Sequence, residues 1–370
     1  MNQEFNSVSL TGGHLMAPEQ LSNDERRWVG YQPYLLSKGY QLRDRYQPDW
    51  VPSWRLSGQD ARLCEDGWAA IAHRTLDAIR IKDQKLVMIK MIMPSPGTRG
   101  VEELEIMQRF SNEEFTNGDD NHVVPVLDAF GIPDVEGGHF YIMPLLTPYN
   151  RPPFQSLNEI YDFLQQIFQG LLFLHDNHVA HCDIASANIM MDARPLYYER
   201  FHPLHPSFTY DGKHLVQTRS RTEAPVKYYF IDFGSSISHR SRGPSAWDWG
   251  AAREPAPEQL ERMVYDPFVA DVYQLGALIR RDLIPGNPAV KFLIPLARAM
   301  TEKDPHKRIE LREAQGVMYR SFTAQGARSL RWPLTPRDAT FSQWLYITIQ
   351  GISNEFMILI RFVARLFVPL

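Results

Sequence analysis

Between residues 68 and 93, two apolar runs rich in β-branched residues, "LDAIRI" and "KLVMIKMIM", flank the turn-like "KDQ" and predict a β-hairpin. The loop "PSPGTRG" follows. Next comes "VEELEIMQRF", where Leu104, Met107 and Phe110 recur at helical spacing. "HVVPVLDAF" and "HFYIMPLL" predict two further strands. After "TPYNRPP" the period changes. Ser156 with Glu159 three residues on is a capping-box signature, and Ile160, Phe163, Leu164, Ile167, Phe168, Leu171 and Leu172 then build one wide apolar helix face. "NIMM" and "VKYYFIDFG" predict short strands, and from 271 onward the pattern is mostly helical. Residues 193–225 are rich in Pro, His and Tyr without a period, and are expected to form an insertion. Residues 1–57 differ again: Pro33, Pro48 and Pro52 argue against a regular helix or central strand, and the many aromatics predict an extended segment clamped on a neighbouring lobe.

Composition adds bounds. A chain of 370 residues has room for two lobes and a sizeable core. A net charge of -4 is too small to argue for a nucleic-acid partner. Cys64 and Cys182 make neither a disulfide framework nor a zinc site by themselves. With no signal-like start and no long uncharged apolar run, the expected location is intracellular and cytoplasmic. The end is distinct: "NEFMILIRFVARLFVPL" is apolar with Arg361 and Arg365 on one face if helical, and from 320 onward six arginines stand against Asp338 and Glu355. Residues 341–370 are therefore a candidate membrane-surface or partner-docking segment, with packing on the protein's own lobe as the plainer alternative.

The polar residues that interrupt the apolar runs carry the chemistry. Lys90 ends a strand, Asp183 and Asn188 lie five residues apart in the loop "HCDIASAN", and Asp232 ends a second strand. Transfer of a phosphoryl group from a nucleotide needs a cation on the phosphates, hard oxygen ligands for Mg²⁺, and a carboxylate that orients the acceptor hydroxyl. These four residues supply such parts in a workable order.

Over roughly 58–320 the chain resembles the eukaryotic protein kinase-like superfamily. "VMIK" resembles the strand with the phosphate-contacting lysine, Lys90, and "EELEIMQRF" resembles helix C. Glu103 is its best lysine partner, since Ile106, Met107 and Phe110 follow at +3, +4 and +7; Glu102 and Glu105 are the alternatives. "YIMPLL" looks like the hinge, with Met143 as gatekeeper and the backbone of Pro144, Leu145 and Leu146 beside the adenine. "HCDIASAN" is similar to the catalytic loop, "DFG" is complete at Asp232, Phe233 and Gly234, and "APE" at Ala256, Pro257 and Glu258. "DVYQLG" resembles the start of helix F, with Asp271 as scaffold, and "DPHKR" places Arg308 to pair with Glu258. The phrases "HCDIASANIMM" and "YDPFVADVYQLG" further resemble a divergent kinase-like group from basidiomycete fungi. The resemblance implies an α+β, bilobal fold with a small β-rich N-lobe (58–146) and a larger, mainly helical C-lobe (147–325), preceded by the 1–57 extension and followed by the 326–370 tail. It implies ATP and Mg²⁺ as cofactors: Asp183, Lys90 and Asn188 in catalysis, Asn188 and Asp232 on the metal, and Lys90, Glu103, Met88, Met143, Pro144, Leu145, Leu146 and Met190 around the nucleotide. It places His181 beside the phenylalanine of DFG in a structural part.

Four departures from the pattern matter. No G-x-G-x-x-G precedes Lys90, and only Gly67 is available upstream. Met88 stands where the family prefers alanine over the adenine. Asn188 and Asp232 are 44 positions apart, far more than is usual, because of the insertion. Cys182 replaces the arginine that reads a phosphorylated activation loop; a buried apolar filler is its plain reading and a reactive thiol the sharper one. Ala185 also replaces the lysine of serine/threonine kinases.

Two functions of different class compete. One is a protein kinase acting on a Ser/Thr hydroxyl, more than Tyr, of an unidentified protein substrate. The other is a pseudokinase scaffold with weak or no turnover, suggested by the missing glycine loop, Cys182 and Met88. A small-molecule phosphotransferase uses related motifs, but "APE", "DVYQLG" and "DPHKR" argue against it.

Overall fold

The predicted hairpin is present in the computed structural model, which describes residues 17–69, 73–93, 99–116, 118–238, 252–260, 264–336 and 338–367. The chain divides into two compact units, 1–90 with 199–216, and 91–198 with 217–370. This division differs from the boundaries expected at 57, 146 and 325.

The first unit opens with helix α1 (Asn23–Ser37), then strand β1 (Tyr40–Leu42), a short helix α2 (Ser53–Ser57), and strands β2 (Thr75–Arg80) and β3 (Lys85–Ile92), the unit boundary falling inside β3. β1 pairs antiparallel with β2, and β2 with β3 in the register Thr75–Lys90, Asp77–Met88 and Arg80–Lys85. The expectation of an extended, helix-free segment here is overturned, since Pro33 sits inside α1. Ser22 caps the helix reciprocally: its Oγ accepts the Glu25 N–H and its own N–H donates to Glu25 Oε2. An internal proline costs about 3 kcal/mol. Burial of Trp28 and Leu35, at about 1.5–3 kcal/mol each, and a cap worth about 1 kcal/mol outweigh it.

The second unit begins with helices α3 (Arg99–Phe110) and α4 (Glu113–Thr116) and the antiparallel hairpin β4 (Asp128–Gly131) and β5 (His139–Pro144). The strand expected over "HVVPVLDAF" is shorter than its apolar run: residues before Asp128 add only an isolated bridge, Val123 to Phe230. Then come β6 (Thr147–Pro148), the long helix α5 (Leu157–Asp176), β7 (Val179–Ala180), β8 (Ile189–Asp192), β9 (Lys227–Phe230) and β10 (Ile237–Ser238). All seven apolar positions predicted for α5 are buried, and they form the centre of this unit's core. Ser156 Oγ accepts the Glu159 N–H, but the Glu159 carboxylate turns to the N–H groups of Gln155 and Arg221 instead of closing the capping box. Helices α6 (Pro257–Leu260), α7 (Pro267–Leu278), α8 (Ile284–Gly286), α9 (Ile294–Met300), α10 (Leu311–Thr323), α11 (Ala327–Arg331) and α12 (Phe341–Phe367) complete it. The fold is α+β, strands concentrated early and helices late.

Candidate active site

The loop from His181 to Asn188 hangs between two strand pairs. β7 pairs with β10 on one side, and β8 with β9 on the other. Such a short loop cannot satisfy its own backbone, and α7 does this for it. The Asp271 carboxylate is fully buried and accepts the N–H of His181 (2.9 Å) and of Cys182 (2.8 Å), with His175 Nε2 at 2.9 Å. Gln274, three residues on and also fully buried, accepts the Ile184 N–H at 2.8 Å and donates to the Cys182 carbonyl at 2.9 Å. Asp271 is scaffold, as expected. Gln274 was missed, although its i+3 spacing on the same helix face was a usable signal.

These bonds explain the cysteine. Cys182 has φ 65°, a left-handed conformation that costs about 1–3 kcal/mol in a non-glycine residue. Its N–H and C=O are both clamped, and its side chain packs with Ala180, Ile237 and Phe268. Burial, then the neighbouring Asp271 charge, push its thiol well above the ordinary range. Cys182 is a packed apolar filler, not an activated nucleophile.

Asn188 fixes the carboxylate of Asp183. Its Nδ2 donates to Asp183 Oδ2 at 2.7 Å and to the Asp183 carbonyl at 2.8 Å, so the amide oxygen Oδ1 points elsewhere and accepts no hydrogen bond among the described residues. The other carboxylate oxygen, Asp183 Oδ1, accepts the Arg253 N–H at 2.7 Å. The strand that carries Asp232 is tied to the same loop: the Ile231 N–H donates to the Asn188 carbonyl, and His181 Nε2 reaches the Ile231 carbonyl at 3.1 Å. His181 Nδ1 accepts the Asp183 N–H, so the proton is on Nε2, which donates. With its ring 5.0 Å from that of Phe233, His181 has the structural place expected of it. Asp232 begins the next turn with φ 64° and is half-buried.

On α3 the faces sort the three glutamates. Glu103 is buried with Ile106, Met107 and Phe110, Glu102 is half-buried and Glu105 is exposed. Glu103 Oε2 comes within 3.5 Å, and Asp232 Oδ1 within 3.6 Å, of where a Cβ on Gly234 would stand. Both are ordinary van der Waals distances, so Gly234 lies against the two carboxylates without a steric need for glycine. Further along, Arg308 donates to both oxygens of Glu258, at 2.5 and 2.9 Å, and to the Val269 carbonyl. The pairing expected between these two residues is present. Met143 and Leu145 are buried, whereas Pro144, Leu146 and Met190 are half-buried.

In the first unit, Lys90 and Met88 are half-buried on β3. Where a glycine-rich hairpin was sought, residues 43–74 connect β1 to β2 through short turns and α2. Gly67 is committed to that packing: a Cβ on it would lie 1.9 Å from the Ala61 carbonyl oxygen. The connection is held by buried ions. Arg43 donates to Asp77 (2.9 Å), Glu65 (3.0 Å) and the Trp68 carbonyl (3.0 Å), and Arg45 to Glu25 (2.6 Å). Part of the insertion joins the same network. His202 Nδ1 accepts the N–H groups of Leu204 and His205, so Nε2 carries the proton toward Glu65 at 3.3 Å. The Trp68 ring packs on those of His202, His205 and Phe208. Burial alone would raise Glu65, but hydrogen bonds from His202 and the Arg43 charge outweigh it and hold its pKa below normal. Nothing in the local sequence announced this docking.

Comparison with known proteins agrees with the loop geometry. The chain is 27% identical to the serine/threonine-protein kinase atg1 of Penicillium rubens over 157 residues, 42% of this chain and 16% of that protein. Over that span the chain is similar to a protein kinase. It is also 26% identical to the serine/threonine-protein kinase prpf4B of Dictyostelium discoideum over 124 residues, 32% of the kinase-like chain and 15% of the relative. Each match thus spans well under a fifth of the relative's length. No family model matches. Among solved structures, the Rad53 kinase domain and SCD2 in complex with AMPPNP aligns with 65% of this chain and 84% of that one, at a TM-score of 0.40 and 13% identity. The finer likeness to a basidiomycete group rests on the phrases quoted above and not on these relatives.

Proposed function

We propose that the chain is a protein kinase that transfers a phosphoryl group from Mg-ATP to a protein hydroxyl, serine or threonine more than tyrosine. One observation carries this reading: a braced loop in which Asn188 orients the Asp183 carboxylate while its own amide oxygen is left for a hard cation. Asn188 Oδ1 and the Asp232 carboxylate fit Mg²⁺, which takes few protein oxygens and completes its shell with phosphates and water. Among the described residues no cluster of three or more His, Cys, Asp or Glu competes as a metal site. When bound, the ion neutralises charge on the transferring phosphate. On this reading Lys90 and Glu103 would each serve the phosphates, and Met88, Met143, Pro144, Leu145, Leu146 and Met190 the base. Asp183 orients the acceptor hydroxyl. The Arg253 N–H already donates to Asp183 Oδ1, and the second lone pair of that oxygen is the one a hydroxyl would use.

The test is turnover of ATP on generic protein substrates. Asp183→Asn and Asp232→Ala should each lower it by roughly a hundredfold or more; unchanged activity in both removes the mechanism.

A second reading has its own observation. The sequence 43–74 has no run of glycines and Gly67 is packed against Ala61, so it lacks the small residues that let backbone N–H groups approach phosphates closely. This favours a pseudokinase scaffold. Mg-ATP that fails to raise the unfolding temperature, together with absent turnover, decides for it.

A further inference from the structure

Helix α12 has 27 residues and is therefore roughly 40 Å long. Leu345, Ile349, Ile352, Phe356, Leu359 and Val363 follow one another at spacings of four and three along one face, each more than 40% exposed. Phe341, Trp344 and Tyr346 are exposed at its start. The helix rests on its own unit by a different edge: a Cβ on Gly351 would stand 2.9 Å from the Trp332 ring, and Glu355 pairs with Arg331 at 3.2 Å. Packing on the lobe therefore uses one edge and leaves the apolar face open.

Charge says what covers it. From residue 320 onward six arginines face only Asp338 and Glu355, on a chain whose net charge is -4. Glu355 is taken up by Arg331, and Arg320 and Arg328 are exposed. A chain segment that is net basic in sequence and carries a broad exposed apolar face with aromatic residues at one end matches a surface of acidic lipid. Among the described residues no helix is long and apolar enough to cross a membrane, so the contact is in the plane of the interface. The 3–4 spacing would also suit a seam between two copies. Against that, of the flanking positions Tyr346, Thr348, Ser353, Glu355 and Ile360 only Glu355 is charged and it is paired with Arg331, and Tyr346 and Ile360 widen the face beyond a two-helix seam.

We infer that α12 docks the chain on an anionic membrane surface, its apolar stripe among the upper acyl chains and its arginine-rich neighbourhood at the headgroups. This stands whether or not the chain turns over ATP. Co-sedimentation of the full chain with vesicles of phosphatidylcholine, alone or mixed with phosphatidylserine, tests it. The chain should sediment with the mixed vesicles, less with phosphatidylcholine alone, and less at high salt. The triple variant Ile352→Glu/Phe356→Glu/Leu359→Glu, whose sites are exposed, should lose binding by roughly tenfold or more while its unfolding temperature is kept. Arg320→Glu/Arg328→Glu should weaken binding to the mixed vesicles only. Equal sedimentation of parent and triple variant overturns the proposal. So does a dimer mass in light scattering that the triple variant abolishes while neither protein binds vesicles.

Discussion

The loop around Asp183 and the connection between β1 and β2 are both irregular backbone, yet they are fixed in different ways. In the loop, one buried carboxylate and one buried amide from α7 bond the backbone of His181, Cys182 and Ile184 directly. The loop backbone is thereby held, while Asn188 and the Arg253 N–H bond the Asp183 carboxylate. In the connection, the ordering groups are side chains bonded largely to each other, Arg43 with Asp77 and Glu65, Arg45 with Glu25, and Asp66 with Trp50 and Ser53. The first arrangement presents a site. The second fills the place where a phosphate-cradling loop would need bare, mobile backbone. The loop and the connection thus differ in what orders them: buried groups of a neighbouring helix in one, mutual side-chain ion pairs in the other.

The largest expected effect comes from removing the brace of the loop. Asp271→Ala should cost about 3–5 kcal/mol, since it strands two buried backbone donors and His175; urea unfolding measures it, and a loss under about 1 kcal/mol would mean the loop holds itself. Next is Arg43→Met, which leaves Asp77 and Glu65 without their guanidinium and should cost about 3 kcal/mol. Hydrogen exchange sharpens the comparison here: protection should fall in β1 and β2 while α5 keeps its own. Equal loss in both would show the two units opening as one.

Acid should act on the connection through Glu65 and Asp66. Burial works against both, but their hydrogen bonds win and lower both pKa values. A lowered carboxylate stabilises fully above its unfolded value and loses that contribution as pH falls through the folded one. Stability should therefore decline as pH drops below the ordinary 4.5 of Glu65. Glu65→Gln should flatten that decline, as urea unfolding at about pH 3 to 6 would show. Asp44, raised by burial, has the opposite sign, so a steeper curve in Glu65→Gln would refute the assignment. The smallest effect is Cys182→Ser, expected within about 1.5 kcal/mol and without change in turnover. Its thiol should resist alkylation until the chain unfolds, and rapid labelling of the native protein would contradict the packed filler.

How much was legible depended on the range of the interactions. The face of α5, the β2–β3 hairpin, the inward place of Glu103 on α3 and the Glu258–Arg308 pair follow from spacing along one element or from a motif that names both partners. Helix α1 was misread because Pro33 is a local signal, and a cap plus burial of Trp28 and Leu35 overrode it. Gly67 looked free for a ligand, since nothing local shows that Ala61 lies against it.

The sequence by itself determined the hairpin, the long apolar helix and most of the later element order, because periodicity and short motifs act within a few residues. Only the tertiary structure decided that Gln274 clamps Cys182, that His202 of the insertion reaches Glu65, and that α12 leaves its apolar face uncovered. Those outcomes depend on which distant groups come within hydrogen-bond or van der Waals distance, and such forces register only once the chain has folded back on itself.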